Sequence, residues 1–182
     1  DAVQIAADGL APSDPTEAAL RMTLAPGAYT AVVTGKDTVP GIGLVEVYDL
    51  SPLTISRLAN ISTRGNVGTD SDLLIAGFIV GAIDSSTVVV RSLGPSLSSA
   101  GISDPLTDPG FTVYDQNGSA LATNDNWPDD PNALDLERTQ LAPPNDAEAA
   151  TILHLPPGPY TVVVAGADAG TGVGLVEVYN LE

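Results

Sequence analysis

Residues 148–181 read EAATILHLPPGPYTVVVAGADAGTGVGLVEVYNL, and residues 17–50 read EAALRMTLAPGAYTAVVTGKDTVPGIGLVEVYDL. The two stretches are copies at an offset of 131 residues, and the correspondence runs without a gap from Asp1/Asn132 to Ser51/Glu182. Of the 51 aligned positions, 24 are identical. A fixed period predicts an array of structural units. The chain therefore divides into a complete unit, residues 51–182, and a partial unit, residues 1–50, which repeats only the C-terminal part.

Each copy is predicted to form three strands joined by short connections. Apolar and polar residues alternate along the first segment, which is the pattern of a half-buried strand. A Pro-Gly turn follows, and then two valine-containing segments separated by a Gly/Asp loop. Three successive strands with tight connections predict a meander. The predicted strands are residues 17–24, Tyr29–Thr34 and Gly43–Asp49 in the first copy, and residues 148–155, Tyr160–Ala165 and Gly174–Asn180 in the second.

The residues between the two copies complete a β-rich unit. Asn117-Gly118 is a strong signal for a hairpin. A short helix is predicted at the start of each copy, with Asp130 as N-cap and Pro131 as first helical residue in the second. The whole pattern indicates an all-β fold, an antiparallel β-sandwich that is jelly-roll-like, with about eight strands per repeat and one short helix. The further predicted strands are Leu53–Ile61, Leu73–Val80, Thr87–Ser92, Phe111–Asp115 and Leu121–Asn124.

The composition is strongly acidic. Six Lys and Arg residues stand against 23 Asp and Glu residues, which gives a net charge of −17. Because nucleic-acid binding needs cations that neutralise phosphates, this charge argues against a nucleic-acid partner and against an anionic membrane surface. No apolar run reaches the roughly 18 residues of a membrane helix, so we expect no membrane insertion. Since Thr, Gly, Asn and Pro are abundant and lysine is scarce, we expect an extracellular or cell-surface protein, secreted by a bacterium, that does without disulfides.

Several phrases of the sequence resemble a known class of repeat. They are NISTRGNVGT (60–69), LIAGFIVGAI (74–83), VVVRSLGPSL (88–97), NDNWPDDP (124–131), and PPGPYTVVVAG with TGVGLVEVYNL (156–181). Together they resemble a tandem β-sandwich repeat of large secreted bacterial surface proteins, over essentially the whole chain. The half from Phe111 onward is also similar to bacterial pre-peptidase C-terminal domains. That second resemblance implies a β-sandwich, often associated with calcium, and does not imply catalysis.

The acidic loop 124–135 is the best candidate for a ligand site. Asp125, Asp129 and Asp130 are candidate calcium ligands, because calcium prefers hard oxygen donors. The EF-hand spacing is absent, and the alternative is that these residues form turns and a helix cap, with no cofactor required. Trp127 is a candidate for stacking on a carbohydrate ring, or else it pins the loop onto the sandwich. Asn124, Asn126 and Asp115 are candidate helpers at the same site.

The sequence contains no recognisable catalytic constellation. His154 is the only histidine, and it aligns with Thr23 of the first copy, so we expect that the repeat does not depend on an imidazole. The segment GPSLS at 94–98 does not match the G-x-S-x-G motif, and there is no cysteine nucleophile. We therefore expect that the protein is not an enzyme.

Glu46 and Glu177 occupy the same place in the repeated GLVEVY strand. A carboxylate among apolar neighbours needs a partner if it is buried, because an unpaired buried charge is costly. Arg91 and Arg64 are the candidate partners, and we predict an internal Arg91–Glu177 ion pair. The alternative is that this face is exposed and the glutamate points into water.

The chain holds two copies of the C-terminal part of the repeat but one copy of residues 53–131. Either the preceding half of the first copy lies outside this chain, or residues 1–50 complete a neighbouring subunit, or the first copy serves residues 53–131 and the second is donated onward. The short Ser51-Pro52 junction favours a rigid arrangement. We expect self-association head to tail into an extracellular bacterial fibre or surface array. The alternative is a calcium-dependent accessory module of a secreted protein that binds carbohydrate or protein.

Overall fold

The computed structural model describes residues 2–50, 58–81 and 84–181. The chain forms two compact units, Asp1–Arg57 and Leu58–Glu182. The sequence places the boundary between residues 50 and 51. The Ser51-Pro52 junction and most of the predicted strand Leu53–Ile61 lie outside the described residues.

The described residues of the second unit form eight strands and one α-helix. The helix α2 (Ala133–Thr139) is the counterpart of helix α1 (Ala2–Ala7) in the first unit. Short 3-10 turns cover Pro95–Ala100, Trp127–Asp129 and Ala167–Ala169. The strands are β1 (Asn60–Val67), β2 (Leu74–Val80), β3 (Ser86–Leu93), β4 (Pro109–Tyr114), β5 (Ala120–Asn124), β6 (Ala149–Leu155), β7 (Gly158–Gly166) and β8 (Gly172–Asn180).

The strands form two four-stranded sheets with a jelly-roll order. Sheet I has the order β1-β8-β3-β6, and sheet II has the order β2-β7-β4-β5. Every pairing between these strands is antiparallel. The prediction of an all-β antiparallel sandwich with eight strands is therefore confirmed.

The predicted meander is wrong. Strand β6 pairs with β3, β7 lies between β2 and β4, and β8 lies between β1 and β3. Successive strands of the copy therefore belong to alternate sheets, and none of the three pairs with another. Alternation of apolar and polar residues indicates which face of a strand is buried, but not which strand lies beside it. A short connection that crosses between the sheets thus looks the same in sequence as one that stays within a sheet.

The core lies between the two sheets. Its centre is made by fully buried valines of both sheets, including Val90 on β3 and Val164 on β7, together with Leu106 from a connecting loop. A smaller cluster lies on the outer side of sheet I, where Val89 and Ala150 pack against Leu136 of α2. Since β3 presents Val88 and Val90 to the core and Val89 to the outer cluster, it reads as an almost continuous apolar run.

Two local predictions are corrected by the structure. Strand β1 begins at Asn60, because its ladder with β8 runs from Asn60↔Tyr179 to Val67↔Gly172, so it overlaps the predicted Leu53–Ile61 by only two residues. The helix α2 has Asn132 as N-cap and not Asp130. The Asp130 carboxylate instead accepts a hydrogen bond from the backbone N–H of Asn132 at 2.8 Å, which forms a turn before the helix.

The first unit contains α1 and a 3-10 turn, Lys36–Thr38, and no strand is present within residues 2–50. The strands predicted at 17–24, 29–34 and 43–49 are therefore wrong for the first copy. In the second copy the equivalent strands pair only with β1 to β4, and residues 2–50 contain no counterparts of those strands. A strand without a neighbour has no ladder of hydrogen bonds to hold it.

Candidate functional site

The repeat divides the chain into two strand sets and one acceptor half. The first strand set is residues 17–50, and the second strand set is residues 148–181, which contains β6, β7 and β8. The acceptor half is residues 58–130, which contains β1 to β5. In sheet I the second set fills the positions between and beside β1 and β3, and in sheet II it fills the position between β2 and β4. The second unit is thus a five-stranded half completed by three inserted strands.

Arg91 on β3 and Glu177 on β8 form the first polar link between the acceptor half and the second strand set. The two residues are directly opposite in the antiparallel ladder, and Arg91 Nε donates to Glu177 Oε2 at 2.5 Å. The side chains are 16% and 9% exposed, so this ion pair is mostly buried. Arg91 also donates to the carbonyl oxygen of Leu141 at 2.9 Å and to the hydroxyl of Tyr179 at 3.0 Å.

Tyr179 closes this cluster into a triad. Its hydroxyl donates to Glu177 Oε1 at 3.0 Å, and the Arg91 guanidinium lies 5.0 Å from the centre of its ring. Burial, followed by the negative charge of Glu177, raises the pKa of Tyr179 above the usual 10.0, against the opposing effect of Arg91. The triad therefore satisfies a buried carboxylate and a buried guanidinium at once. The other candidate partner, Arg64, lies exposed on β1.

Glu148, at the start of the second strand set, forms a second polar link, and this residue is not among the predicted site residues. Its side chain is fully buried, and its Oε1 accepts hydrogen bonds from the backbone N–H groups of Gly94 and Ser96, both at 2.9 Å. The Ser96 hydroxyl donates to the same oxygen at 2.6 Å. The signal was present in the sequence, since Glu17 and Glu148 begin the repeated EAA. The GPSLS segment thus has a structural role, because it supplies the hydrogen-bond donors that hold the buried Glu148 carboxylate.

The first strand set has the local geometry of the second. The Tyr48 hydroxyl donates to Glu46 Oε1 at 3.0 Å, the same length as the Tyr179–Glu177 bond. Asp37 and Asp168 both have left-handed backbones, with φ of 56° and 51°. The Tyr29 hydroxyl donates to the Ala25 carbonyl at 2.8 Å, and Tyr160 makes the equivalent bond at 2.7 Å. A side chain at Gly35 or Gly166 would collide with the carbonyl oxygen four residues later. The sequence repeat therefore specifies the same turns in both copies.

The two strand sets differ in the burial of their core-type side chains. Tyr29 is 58% exposed where Tyr160 is 6% exposed, and Val33 is 61% exposed where Val164 is fully buried. Glu46 is exposed, whereas Glu177 is buried in its ion pair with Arg91. Of residues 2–50, only Ile5 is buried and Leu10 is half-buried. Other core-type side chains exposed in the first set are Leu20, Met22, Leu24, Val32, Ile42, Leu44, Val45, Val47 and Tyr48.

The acidic loop does not gather its carboxylates. Asp125 and Asp129 are exposed, whereas Asp130 is buried and bonded to the backbone of Asn132. Asn124 is also buried; its side chain donates to Asn126 O at 3.1 Å and accepts from Ala150 N at 3.0 Å. Within the described part of the chain, no group of three or more His, Cys, Asp or Glu side chains could hold a metal ion. Calcium binding stays a prediction.

Trp127, His154 and Asp115 lie at separate places on the second unit. Trp127 is half-buried beside Val89 and Leu136, and its indole N–H is buried without a hydrogen-bond partner among the described residues. His154 is exposed on β6, with Nδ1 3.3 Å from the Thr87 hydroxyl. Hydrogen bonds from Ser119 and Asn117 lower the pKa of Asp115 in the β4–β5 turn. Carbohydrate contact at Trp127 stays a prediction.

Comparisons with known proteins give a distant similarity to solved structures. No family model matches the chain, and no curated protein matches it. Among solved structures, the chain is similar to the 1.0 Å crystal structure of the pre-peptidase C-terminal domain of a collagenase from Bacillus anthracis. The identity is 14%, the TM-score is 0.42, and the match covers 65% of this chain and 88% of that chain. This is the class of domain that the sequence from Phe111 onward resembles. No helix among the described residues is long and apolar enough to cross a membrane.

Proposed function

We propose that the chain is a structural repeat unit of an extracellular bacterial fibre or cell-surface array, assembled head to tail by sharing of β-strands between neighbouring repeats. The observation that carries this proposal is the contrast between the two strand sets. They share sequence and turn geometry, yet only the second is inserted into an acceptor half. The first set exposes side chains whose equivalents form the core of the sandwich.

The exposed first set favours assembly on energetic grounds. Burying one valine, leucine or aromatic side chain contributes about 1.5–3 kcal/mol. The first set holds such residues at many of the positions where the second set contributes to the core, including Leu24, Val33 and Val45. An exposed segment of this kind is also prone to pair with the edge strands of other molecules. Pairing with a neighbouring repeat would bury these apolar side chains and would prevent their association with other edge strands.

The composition supports an extracellular setting for this assembly. Lysine is scarce in the chain, and the net charge is −17. A strongly acidic surface repels like-charged copies at long range and so opposes nonspecific aggregation. Strand insertion makes many matched apolar and polar contacts, and these contacts are strong enough to outweigh the repulsion. A structural unit also agrees with the absence of a catalytic constellation in the sequence.

Electron microscopy with immunogold labelling tests the proposal. An antibody raised against the purified chain should label extracellular fibres or an ordered surface layer of the producing bacterium. Further copies of residues 51–181 added after residue 181 should lengthen the purified particle along one axis by equal increments. Label confined to the cell interior, or added copies that behave as independent beads, would contradict the proposal.

A further inference from the structure

The first strand set carries its own half of both polar links seen in the second unit. Glu46 and Tyr48 are already joined as Glu177 and Tyr179 are, with the same 3.0 Å hydrogen bond. Glu17 stands at the position of Glu148, and it is exposed. In the second unit, the other halves of these links come from the acceptor half. They are the Arg91 guanidinium and the N–H groups of Gly94 and Ser96.

These links define the chemistry that a partner of the first set must present. A guanidinium must lie opposite Glu46 in the ladder, because Arg91 reaches a carboxylate and a tyrosine hydroxyl together, which an ammonium on a flexible stem does not reproduce. A loop with two free backbone N–H groups must receive the Glu17 carboxylate. Apolar side chains on two facing sheets must cover Tyr29 and Val33. A flat surface or a single strand edge offers none of these in combination.

The number of segments in the chain decides which acceptor half is meant. The chain holds two strand sets and one acceptor half, and that half is already filled by the second set. If the first set of one molecule replaced the second set of another molecule, the displaced second set would expose its own apolar side chains. A filled acceptor half in a second copy therefore offers no net gain in buried surface. An open acceptor half offers the full gain.

The packing also shows that the first set does not match the acceptor half of this chain as well as the second set does. Val162 is fully buried and lies opposite Ala76 on β2 and Val113 on β4. The first set has Ala31 at this position, which would leave a cavity. Replacement of a set that fills the core by one that leaves a void is unfavourable.

A second position has the opposite change in size. Thr151, which is 4% exposed, lies opposite Val90 on β3. The first set has Leu20 at the position of Thr151, which would overfill the same space. The acceptor half that fits the first set therefore fills more of the space beside Ala31 and leaves more room beside Leu20 than residues 58–130 do.

From these contacts we infer that residues 17–50 bind an open acceptor half of the same repeat class, supplied by a neighbouring repeat. That half presents an arginine to Glu46 and Tyr48 and a pair of backbone N–H groups to Glu17. This inference rests on the strand sharing in the proposed function and adds the identity of the partner surface. The side chains at residues 20 and 31 differ in size from Thr151 and Val162, and we expect these differences to determine which acceptor half each strand set fits.

Hydrogen exchange on a chain with an added acceptor half tests the inference. A second copy of residues 51–131 is placed ahead of residue 1, so that the full chain keeps its own sandwich. The added copy carries Ala76→Val, which fills the space beside Ala31, and Val90→Ala, which makes room for Leu20. Backbone amides of residues 17–50 should then exchange at least about a hundred times more slowly than in the unmodified chain. Residues 148–181 of the same molecule report whether the added segment has disturbed the existing sandwich.

Variants of the extended chain separate specific insertion from general collapse. Val33→Asp should abolish the protection of residues 17–50, because the equivalent Val164 is fully buried. Thr23→Asp is the matched control and should retain it, because the equivalent His154 is exposed. Arg91→Ala in the added copy alone should weaken the protection at least about ten-fold. Restoring the original Ala76 and Val90 in the added copy should weaken it, because the space beside Ala31 is then unfilled and the space beside Leu20 is overfilled.

Each outcome decides the inference. Unchanged fast exchange of residues 17–50, with residues 148–181 still protected, overturns it. Protection of residues 17–50 that appears in the unmodified chain and rises with concentration also overturns it, because a second copy would then be the partner. If the extended chain shows the expected protection and the immunogold experiment finds no fibre or surface layer, the inference stands and the proposed function fails.

Discussion

The Arg91–Glu177 pair allows a sharp test, because the chain contains a matched control in its own first copy. The change is Glu177→Gln, which keeps the size of the side chain and removes its charge. Arg91 then lies 16% exposed without a counter-ion. The corresponding change in the first copy is Glu46→Gln, at an exposed residue. The two variants differ only in whether the acceptor half surrounds the substituted residue.

The expected magnitude depends on the contacts of Arg91. Removing one partner of a buried ion pair costs about 3–5 kcal/mol. The loss is smaller here because Arg91 keeps its hydrogen bonds to the Leu141 carbonyl and the Tyr179 hydroxyl, and because a glutamine oxygen still accepts. We expect Glu177→Gln to lower the free energy of unfolding by about 2 kcal/mol. For a unit of this size, the melting temperature falls by roughly 6–10 °C.

Chemical unfolding followed by tryptophan fluorescence is the assay. Trp127 is the only tryptophan and lies in the second unit, so its signal reports the unfolding of that unit. Glu46→Gln should leave the unfolding free energy within about 0.5 kcal/mol of the original chain. The reasoning is refuted if Glu177→Gln has no measurable effect, or if Glu46→Gln destabilises the second unit as much.

Three further predictions use the same comparison of copies or the same cluster. Glu148→Ala should destabilise the second unit by about 3 kcal/mol in denaturant unfolding, since the buried N–H of Gly94 and the partly buried N–H of Ser96 lose their acceptor, whereas Glu17→Ala should have no effect. Val164→Asp should lower the free energy of unfolding of the second unit by more than about 4 kcal/mol, because it buries an unpaired charge, whereas Val33→Asp should leave it unchanged. The raised pKa of Tyr179 means that the folded state holds its proton more tightly, so its contribution to stability is complete below pH 10 and is lost as the pH rises above that value. Between pH 9 and about pH 11, the free energy of unfolding should therefore fall less in Tyr179→Phe than in the original chain. An equal fall in the two chains would contradict this prediction.

Much of the sandwich is readable from local patterns. Strands β2, β3 and β5 lie within one residue of their predicted ends, because β-rich runs bounded by Gly, Pro or Asn-Gly have clear limits. The start of β1 was misplaced, since its ladder with β8 sets its position rather than its own apolar pattern. The Arg91–Glu177 pair was reachable because a repeated glutamate among apolar residues demands a cation. The repeat marks Glu148 as a matched position, but it does not predict the role of this residue, since the groups that donate to its carboxylate are backbone N–H groups, which every sequence contains.

The repeat determined by itself that residues 17–50 and 148–181 form the same turns, because turn geometry depends on glycines, prolines and hydrogen bonds a few residues apart. Only the tertiary structure decided that one copy is a set of strands and the other is not. Strand formation depends on neighbours that lie far away in sequence, and β6, β7 and β8 find them only in β1 to β4. Local sequence specifies a conformation that is ready to pair, and long-range pairing determines whether it becomes part of a sheet.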